Sequence, residues 1–489
     1  MDRLGALPVA SDRVEFRVWA PNADSVAVRL ATGDHPLERP GPESWTGDVA
    51  ARAGDDYWLV VDGTAWPDPC SRFQPEGVRG PSRVVDTSAF DIAPGPRVTL
   101  EELVLYELHV GTFTPEGTFD AIVPRLRGLR ELGVTAIELM PVATFPGDRN
   151  WGYDGVYTFA PHAAYGGPEG LARLVDAAHC EGLAVFLDVV YNHVGPGAKA
   201  IAAFGPYFGT TTEWGQGLDY AQRGVREWAI QNAELWTRDY KIDGLRLDAV
   251  AWVRDDSQPH VLAELKERVG DAVVVSEMNR EDARPLGEWG HDAMWLDDLH
   301  HELHVLLTGE KRALYKEFGS VDGLVRELRR PDAERFVVCA QNHDQIGNRA
   351  QGDRLPPDAL RVALACVLFS LHTPLLFMGD EYGERNPFPF FTDHIDPAVA
   401  DAMREGRKRD VLWATGTPGP QPDPQDVATF ERSKLDPRDP DPFVRELLRL
   451  RRTLPRELDV QADGERVTLR RGDATLALDF GAKTAELRA

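Results

Sequence analysis

The sequence predicts an α/β protein: a closed (β/α)8 (TIM) barrel, an N-terminal immunoglobulin-like β-sandwich and a small C-terminal β-domain. Three patterns in the 489 residues predict it. Strict apolar/polar alternation is confined to about the first 96 residues. Amphipathic helices then alternate with continuous apolar runs, which marks parallel strands buried on both faces. Alternation with period two returns only in the last ~35 residues.

In the first segment every second residue of Val14-Glu15-Phe16-Arg17-Val18-Trp19 and of Val26-Ala27-Val28-Arg29-Leu30 is apolar. A third strand, Tyr57-Trp58-Leu59-Val60-Val61, runs into Asp62-Gly63, a hairpin turn pair. These half-buried strands form the predicted sandwich, residues 1–96. After Pro94-Gly95-Pro96 the first barrel strand is Leu103 to Leu108. Ile122, Leu126, Leu129 and Leu132 follow at helical spacing, Gly133 stands at a helix C-cap, and Val134 to Leu139 reads as the next strand. The cycle repeats through Leu171, Leu174, Val175 and Ala178 into Ala184–Val190, and through Val225, Trp228, Ala229, Leu235 and Trp236 into Asp243–Asp248.

Strands at 272–276, 292–296, 336–341 and 374–378 complete a barrel of eight. The barrel segment is predicted to be 97–455, with a short insertion after the third strand at about 195–220. A doubly wound sheet would want a glycine-rich phosphate loop, and Glu107-Leu108-His109-Val110-Gly111 is not one. Pro, Gly and Asp crowd residues 415–442, which predicts an extended loop. A helix from Pro442 leads to a β-module at 456–489.

The 54 basic and 79 acidic side chains leave a formal charge of −25. Such a surface repels phosphate backbones and anionic lipids, which excludes nucleic acid and membranes as partners. The start of the chain lacks a signal-peptide pattern, and no apolar run approaches the ~20 residues of a spanning helix. Cys70, Cys180, Cys339 and Cys366 are scattered and form no C-x-x-C pair. They read as buried thiols of a reducing compartment, so a cytoplasmic location is expected.

Barrel enzymes carry their chemistry where strands end. Four predicted strands end in polar clusters: Asp188-Val189-Val190-Tyr191-Asn192-His193, Gly244 to Ala249, Ser276-Glu277-Met278-Asn279 and Gln341-Asn342-His343-Asp344-Gln345. Arg246 and Asp248 are two apart and share one strand face, so the guanidinium keeps the carboxylate ionised. Glu277 follows an apolar run whose desolvation suits a general acid. Asp344 supplies a third acid on another strand, with His343 beside it as a neutral donor. Carboxyls in opposed environments are what glycoside cleavage requires.

On these residues the chain resembles the α-amylase superfamily, whose four recurring regions these clusters match in order. Within it, Pro67 to Gly77, Trp295 to Glu302, Gln341 to Arg349 and Pro387 to His394 resemble the maltooligosyltrehalose trehalohydrolases. The likeness runs from about Val14 to about Lys408. It implies Asp248 as nucleophile, Glu277 as general acid/base and Asp344 as transition-state stabiliser. It further implies sugar contacts by Tyr153, His193, Arg246, Asp297, Asp298, His301, His343, Gln345 and Asn348, with Asp188 in support. The implied reaction cleaves the α-1,4 bond next to a terminal trehalose, with retention and without cofactor or metal. The implied substrate is a neutral α-glucan, maltooligosyltrehalose, supplied by a maltooligosyltrehalose synthase. Met278 departs from the pattern, where a second acidic residue is expected.

The rivals are a glucan branching enzyme and a non-catalytic glucan-binding protein. His300-His301-Glu302-Leu303-His304 has two histidines at i, i+4 but lacks the H-E-x-x-H order, so a sugar-contacting loop is the better reading than zinc. About half of Trp214, Tyr220, Trp252, Phe388, Phe390 and Phe391 are expected to stack on sugar. The sandwich is expected to brace the barrel and to wall the cleft.

Overall fold

The computed structural model describes residues 1–489 apart from 213, 279–281 and 418. Asn279 of the fifth strand-end cluster therefore lies outside the described residues. Eight parallel strands close into a barrel in chain order: β1 (Leu105–Leu108), β2 (Ala136–Leu139), β3 (Ala184–Val189), β4 (Gly244–Leu247), β5 (Val273–Glu277), β6 (Ala293–Trp295), β7 (Phe336–Cys339) and β8 (Thr373–Phe377), with β8 paired to β1. Alternate strand residues form one buried cluster, with Leu105, Ala136, Ala184, Phe186, Val275, Trp295, Val337, Cys339 and Leu375 filling the interior. Period two along each strand then turns Glu107, Glu138, Asp188 and Glu277 toward the same interior. Arg246 joins them, because it pairs with Asp188 on β3 and Val275 on β5.

The helices form as their sequence patterns predict. Thr118 caps Phe119–Leu132 by accepting from the Ala121 N–H, and Phe119, Ile122, Leu126, Leu129 and Leu132 are its buried stripe. Gly133 ends it with φ of 116°, a conformation open to glycine at no steric cost.

Two antiparallel sheets make the N-terminal sandwich. One holds Gly5–Ala10, Arg13–Trp19 and Ser44–Ala50; the other holds Gly33–Pro36, Val26–Leu30, Asp56–Val61 and Thr64–Trp66. Asp62 and Gly63 both take positive φ in the predicted hairpin turn. The sandwich is fastened to the barrel helix Arg223–Glu234. The Trp228 indole donates to the Pro69 carbonyl at 3.1 Å, and the Leu4 N–H donates to Gln231 Oε1 at 2.8 Å. Trp19 packs so tightly on Gly224 that a Cβ there would lie 2.1 Å from the indole. Gly224→Ala is expected to destabilise the protein by about 1–3 kcal/mol through overpacking, read as a lowered unfolding midpoint in denaturant.

At the other end, Asp459–Asp463, Arg466–Arg471, Ala474–Asp479 and Thr484–Arg488 form a four-stranded antiparallel sheet. The buried Arg451 and Arg471 donate to the carbonyls of Leu368, Ser370 and Phe369 at the C-terminus of helix Pro357–Phe369. Cations at a helix C-terminus satisfy its orphan carbonyls and its dipole together.

Four expectations are corrected. The proline-rich stretch 415–442 is not all extended: a helical segment, Val427–Glu431, forms there, capped by Asp426. Cys180 is exposed, whereas the other three thiols are buried. Asp344 sits in the helical turn His343–Gly347 beyond β7 instead of on a strand, because Asn342 caps that turn by accepting the Gln345 N–H. The histidine run after β6 is no loop but the helix Asp297–Thr308. On it, His300 Nδ1 is bonded to the Ala340 carbonyl at 2.7 Å and His304 faces Glu310 at 3.0 Å.

Candidate active site

Arg246 organises the C-terminal mouth of the barrel. Its side chain is fully buried, and its planar fork donates from one nitrogen to Asp188 Oδ2 at 2.7 Å and Asp248 Oδ1 at 2.9 Å. The other terminal nitrogen donates to Glu277 Oε2 at 2.6 Å. The guanidinium also lies 4.3 Å from the centre of the Trp295 ring. Asp248 follows directly on β4, its N–H continuing the ladder to the Val189 carbonyl at 3.0 Å. Its Oδ2 accepts from Asn192 Nδ2 at 2.9 Å. The next residue, Ala249, is held at φ of 40°, an uncommon conformation for a residue with a Cβ. That turn points its N–H at Glu277 Oε2, 2.9 Å away. Among the described residues, both donors to Glu277 fall on Oε2. Burial pushes the Glu277 carboxyl up to about 8, against the pull of Arg246 and with the help of Asp248 and Asp344.

A second chain of bonds crosses the same mouth. Tyr153 donates its phenolic proton to Asp188 Oδ2 at 2.6 Å, so its oxygen accepts from His343 Nε2 at 2.8 Å. The other ring nitrogen, Nδ1, donates to Glu107 Oε1, and the His343 backbone N–H donates to Glu107 Oε2 at 3.1 Å. Burial disfavours a charged ring, but Glu107 and Asp344 outweigh it and push His343 up to about 10. His343 is thus an imidazolium and not the expected neutral donor. Asp188, desolvated and opposed by Arg246, is pushed up to about 7.

Asp344 stands 3.4 Å from His343 Nε2 and accepts from Asn348 Nδ2 at 3.1 Å. Asn348 is itself fixed by Arg407 at 2.7 Å. Asp297, at the start of its helix, is close enough to Asp344 and Asp298 that burial and their charges push it up to about 6. Gln345 bonds to Asp297 and accepts from the Tyr315 hydroxyl at 3.2 Å. His301 packs on Tyr315 and Phe318, with ring centres 5.1 and 4.8 Å away. His193 stacks obliquely under Trp214 at 5.8 Å.

The structure therefore draws Tyr153, His193, Arg246, Asp248, Glu277, Asp297, His343, Asp344, Gln345 and Asn348 toward one mouth, and places Asp298 in the first turn beside Asp297. His301, one turn after Asp297 on the same helix, packs in an aromatic nest with Tyr315 and Phe318. Trp214 is half exposed on the hairpin Phe208–Thr211/Gln216–Leu218 within the insertion after β3, with Trp252 5.8 Å away. Both rings are accessible platforms, and Phe390 is partly so. Tyr220, Phe388 and Phe391 are buried, which excludes them from stacking on sugar.

Two carboxyls of the site carried no polar cluster to announce them. Glu107 and Glu138 lie singly in apolar strands, yet both are buried inside the barrel. Burial, then Glu107 and Asp188, raise the Glu138 carboxyl well above its usual range. Neither of its oxygens has a hydrogen-bond partner among the described residues. The signal was parity: each is two residues beyond an interior position, Leu105 or Ala136. Among the described residues no three His, Cys, Asp or Glu side chains are grouped to hold a metal ion.

The barrel and this mouth define the class, a glycoside hydrolase of the α-amylase type. A family model for the α-amylase catalytic domain matches residues 75–204. The chain is 41% identical to the malto-oligosyltrehalose trehalohydrolase of Saccharolobus solfataricus, over 87% of this chain and 82% of that protein. It is equally 41% identical to the malto-oligosyltrehalose trehalohydrolase of Deinococcus radiodurans, over 93% and 83%. A crystal structure of a candidate α-amylase from Salmonella typhimurium superposes with a TM-score of 0.86 at 37% identity, covering 97% of this chain and 92% of that one. The chain belongs to the malto-oligosyltrehalose trehalohydrolase family.

Proposed function

We propose that the protein hydrolyses the α-1,4-glucosidic bond between a maltooligosaccharide and its terminal trehalose, releasing free trehalose with retention of configuration. The observation that carries this reading is the single guanidinium shared by Asp248 and Glu277. It keeps the two carboxyls close, as a retaining pair at about 5–5.5 Å requires. Asp248, gripped by Arg246 and Asn192, attacks the anomeric carbon. Glu277 gives its carboxyl proton to the glycosidic oxygen, and trehalose leaves. The now ionised Glu277 takes a proton from water, whose oxygen displaces Asp248 from the glycosyl ester and restores both groups. Asp344 and the His343 cation flank the sugar, where the carboxylate offsets the positive charge that develops at the ring.

Tyr153, His193, Arg246, Asp297, Asp298, Gln345 and Asn348 are assigned to holding sugar hydroxyls, and His301 to supporting Asp297's helix and the loop that packs on it. Side chains supply every group these steps use, so no cofactor or metal enters them. The substrate is a neutral glucan, which agrees with a chain whose charge of −25 repels polyanions. We place the reaction in the cytoplasm, downstream of a maltooligosyltrehalose synthase. No helix among the described residues is long and apolar enough to cross a membrane.

Incubation with maltotriosyltrehalose is expected to yield trehalose and maltotriose, with the α-anomer of maltotriose appearing first by proton NMR. Branched α-1,6 products in place of trehalose would assign a branching transferase. Binding without turnover would assign a glucan-binding scaffold.

A further inference from the structure

A cavity of about 520 Å3 lies between the sandwich and the barrel loops, apart from the carboxyl cluster. Its volume falls within the range of small-molecule sites, about 300–1,000 Å3. Trp58 and Trp66 line it from the sandwich, with Arg79 nearby. Lys199 from the loop after β3, and His394 and Ile395 from the loop after β8, line it from the barrel.

Several features distinguish this cavity from a packing void. The two tryptophans are only half buried, whereas Trp45 of the same sandwich is buried at 7% exposure. Ile395 is 52% exposed on its wall. Among the described residues, neither the Arg79 nor the Lys199 side chain has a hydrogen bond or ion pair. His394 has a buried side chain whose Nδ1 has no hydrogen-bond partner among the described residues. Its Nε2 lies 3.5 Å from Asp154, which follows the Tyr153 of the catalytic mouth.

We infer that this cavity is a second α-glucan site, which binds a short α-1,4-linked segment outside the catalytic pocket. Indole faces accept the C–H face of a pyranose, while Arg79 and Lys199 meet its hydroxyls. Asp396 also lines the cavity and places an acceptor among these donors, which suits a neutral polyol better than an anion. The ligand class rests on the reading given under the proposed function.

The test is equilibrium dialysis of the Asp248→Asn protein, whose turnover is expected to fall by on the order of 10^4-fold, against saturating maltotetraose. Two molecules bound per chain are expected, falling to one with Trp58→Ala. Ala200→Trp, which fills the cavity from the barrel side without removing a packed ring, is expected to do the same and decides the matter if Trp58→Ala fails to fold. One molecule bound by the parent protein, or two retained by Ala200→Trp, would overturn the inference. Trehalose release by the protein with Asp248 intact is scored separately, so failure of the catalytic reading and failure of this one are told apart.

Discussion

Asp248→Asn is expected to lower kcat for trehalose release by on the order of 10^4-fold and to leave the unfolding midpoint nearly unchanged. The amide keeps the shape of the side chain, and its oxygen can still accept from Arg246 or Asn192. It cannot form the glycosyl ester, so the first step is lost. Arg246 retains its hydrogen bonds to Asp188 at 2.7 Å and to Glu277 at 2.6 Å, so its donors are not left without acceptors. The check is an initial-rate assay with maltotriosyltrehalose beside a denaturant melt. Residual turnover within tenfold of the parent would remove Asp248 from the nucleophile's place.

Glu277→Gln is expected to cost about 10^2- to 10^4-fold in kcat with a glucan leaving group, the range for loss of a general acid. With an activated aryl leaving group, which needs no proton, the loss of the first step should be far smaller. The pH dependence has a definite sign. Glu277 acts protonated, and burial holds its pKa at about 8, so kcat/KM should fall as pH rises through about 8. The same shift bears on stability. A carboxyl raised from 4.5 to about 8 on folding contributes its full stabilisation only below pH 4.5 and loses it progressively as pH rises to about 8. Gln does not titrate, so the variant should lack that part of the slope in its melting temperature between pH 5 and 8. A variant with an unchanged slope would place the titration elsewhere.

The barrel was legible because its signals are local. Val134 to Leu139 or Ala184 to Val190 can only be strands covered on both faces, and Gly133 marks where the preceding helix stops. Asp248, Glu277 and Asp344 were equally legible, since polar clusters at the ends of apolar strands have one common destination. The charge of His343 is not legible locally, because it is set by Glu107, 236 positions away in the chain. Tyr220, Phe388 and Phe391 sit in polar sequence surroundings, yet tertiary packing buries them. The helix Asp297–Thr308 is hidden in the sequence because His300 and His304 disrupt the apolar pattern, although both find partners in the fold.

From its own residues the chain settles which side chains are acids, where the strands end and which ones share a face. Those properties depend on chemical identity and on backbone period, and neither needs the rest of the molecule. The protonation states of Glu277 and His343, the interior places of Glu107 and Glu138 and the cavity beneath Trp58 come from the folded arrangement alone. Desolvation and Coulomb interactions act through space between strands remote in sequence, and only closure of the barrel brings those charges within reach of one another.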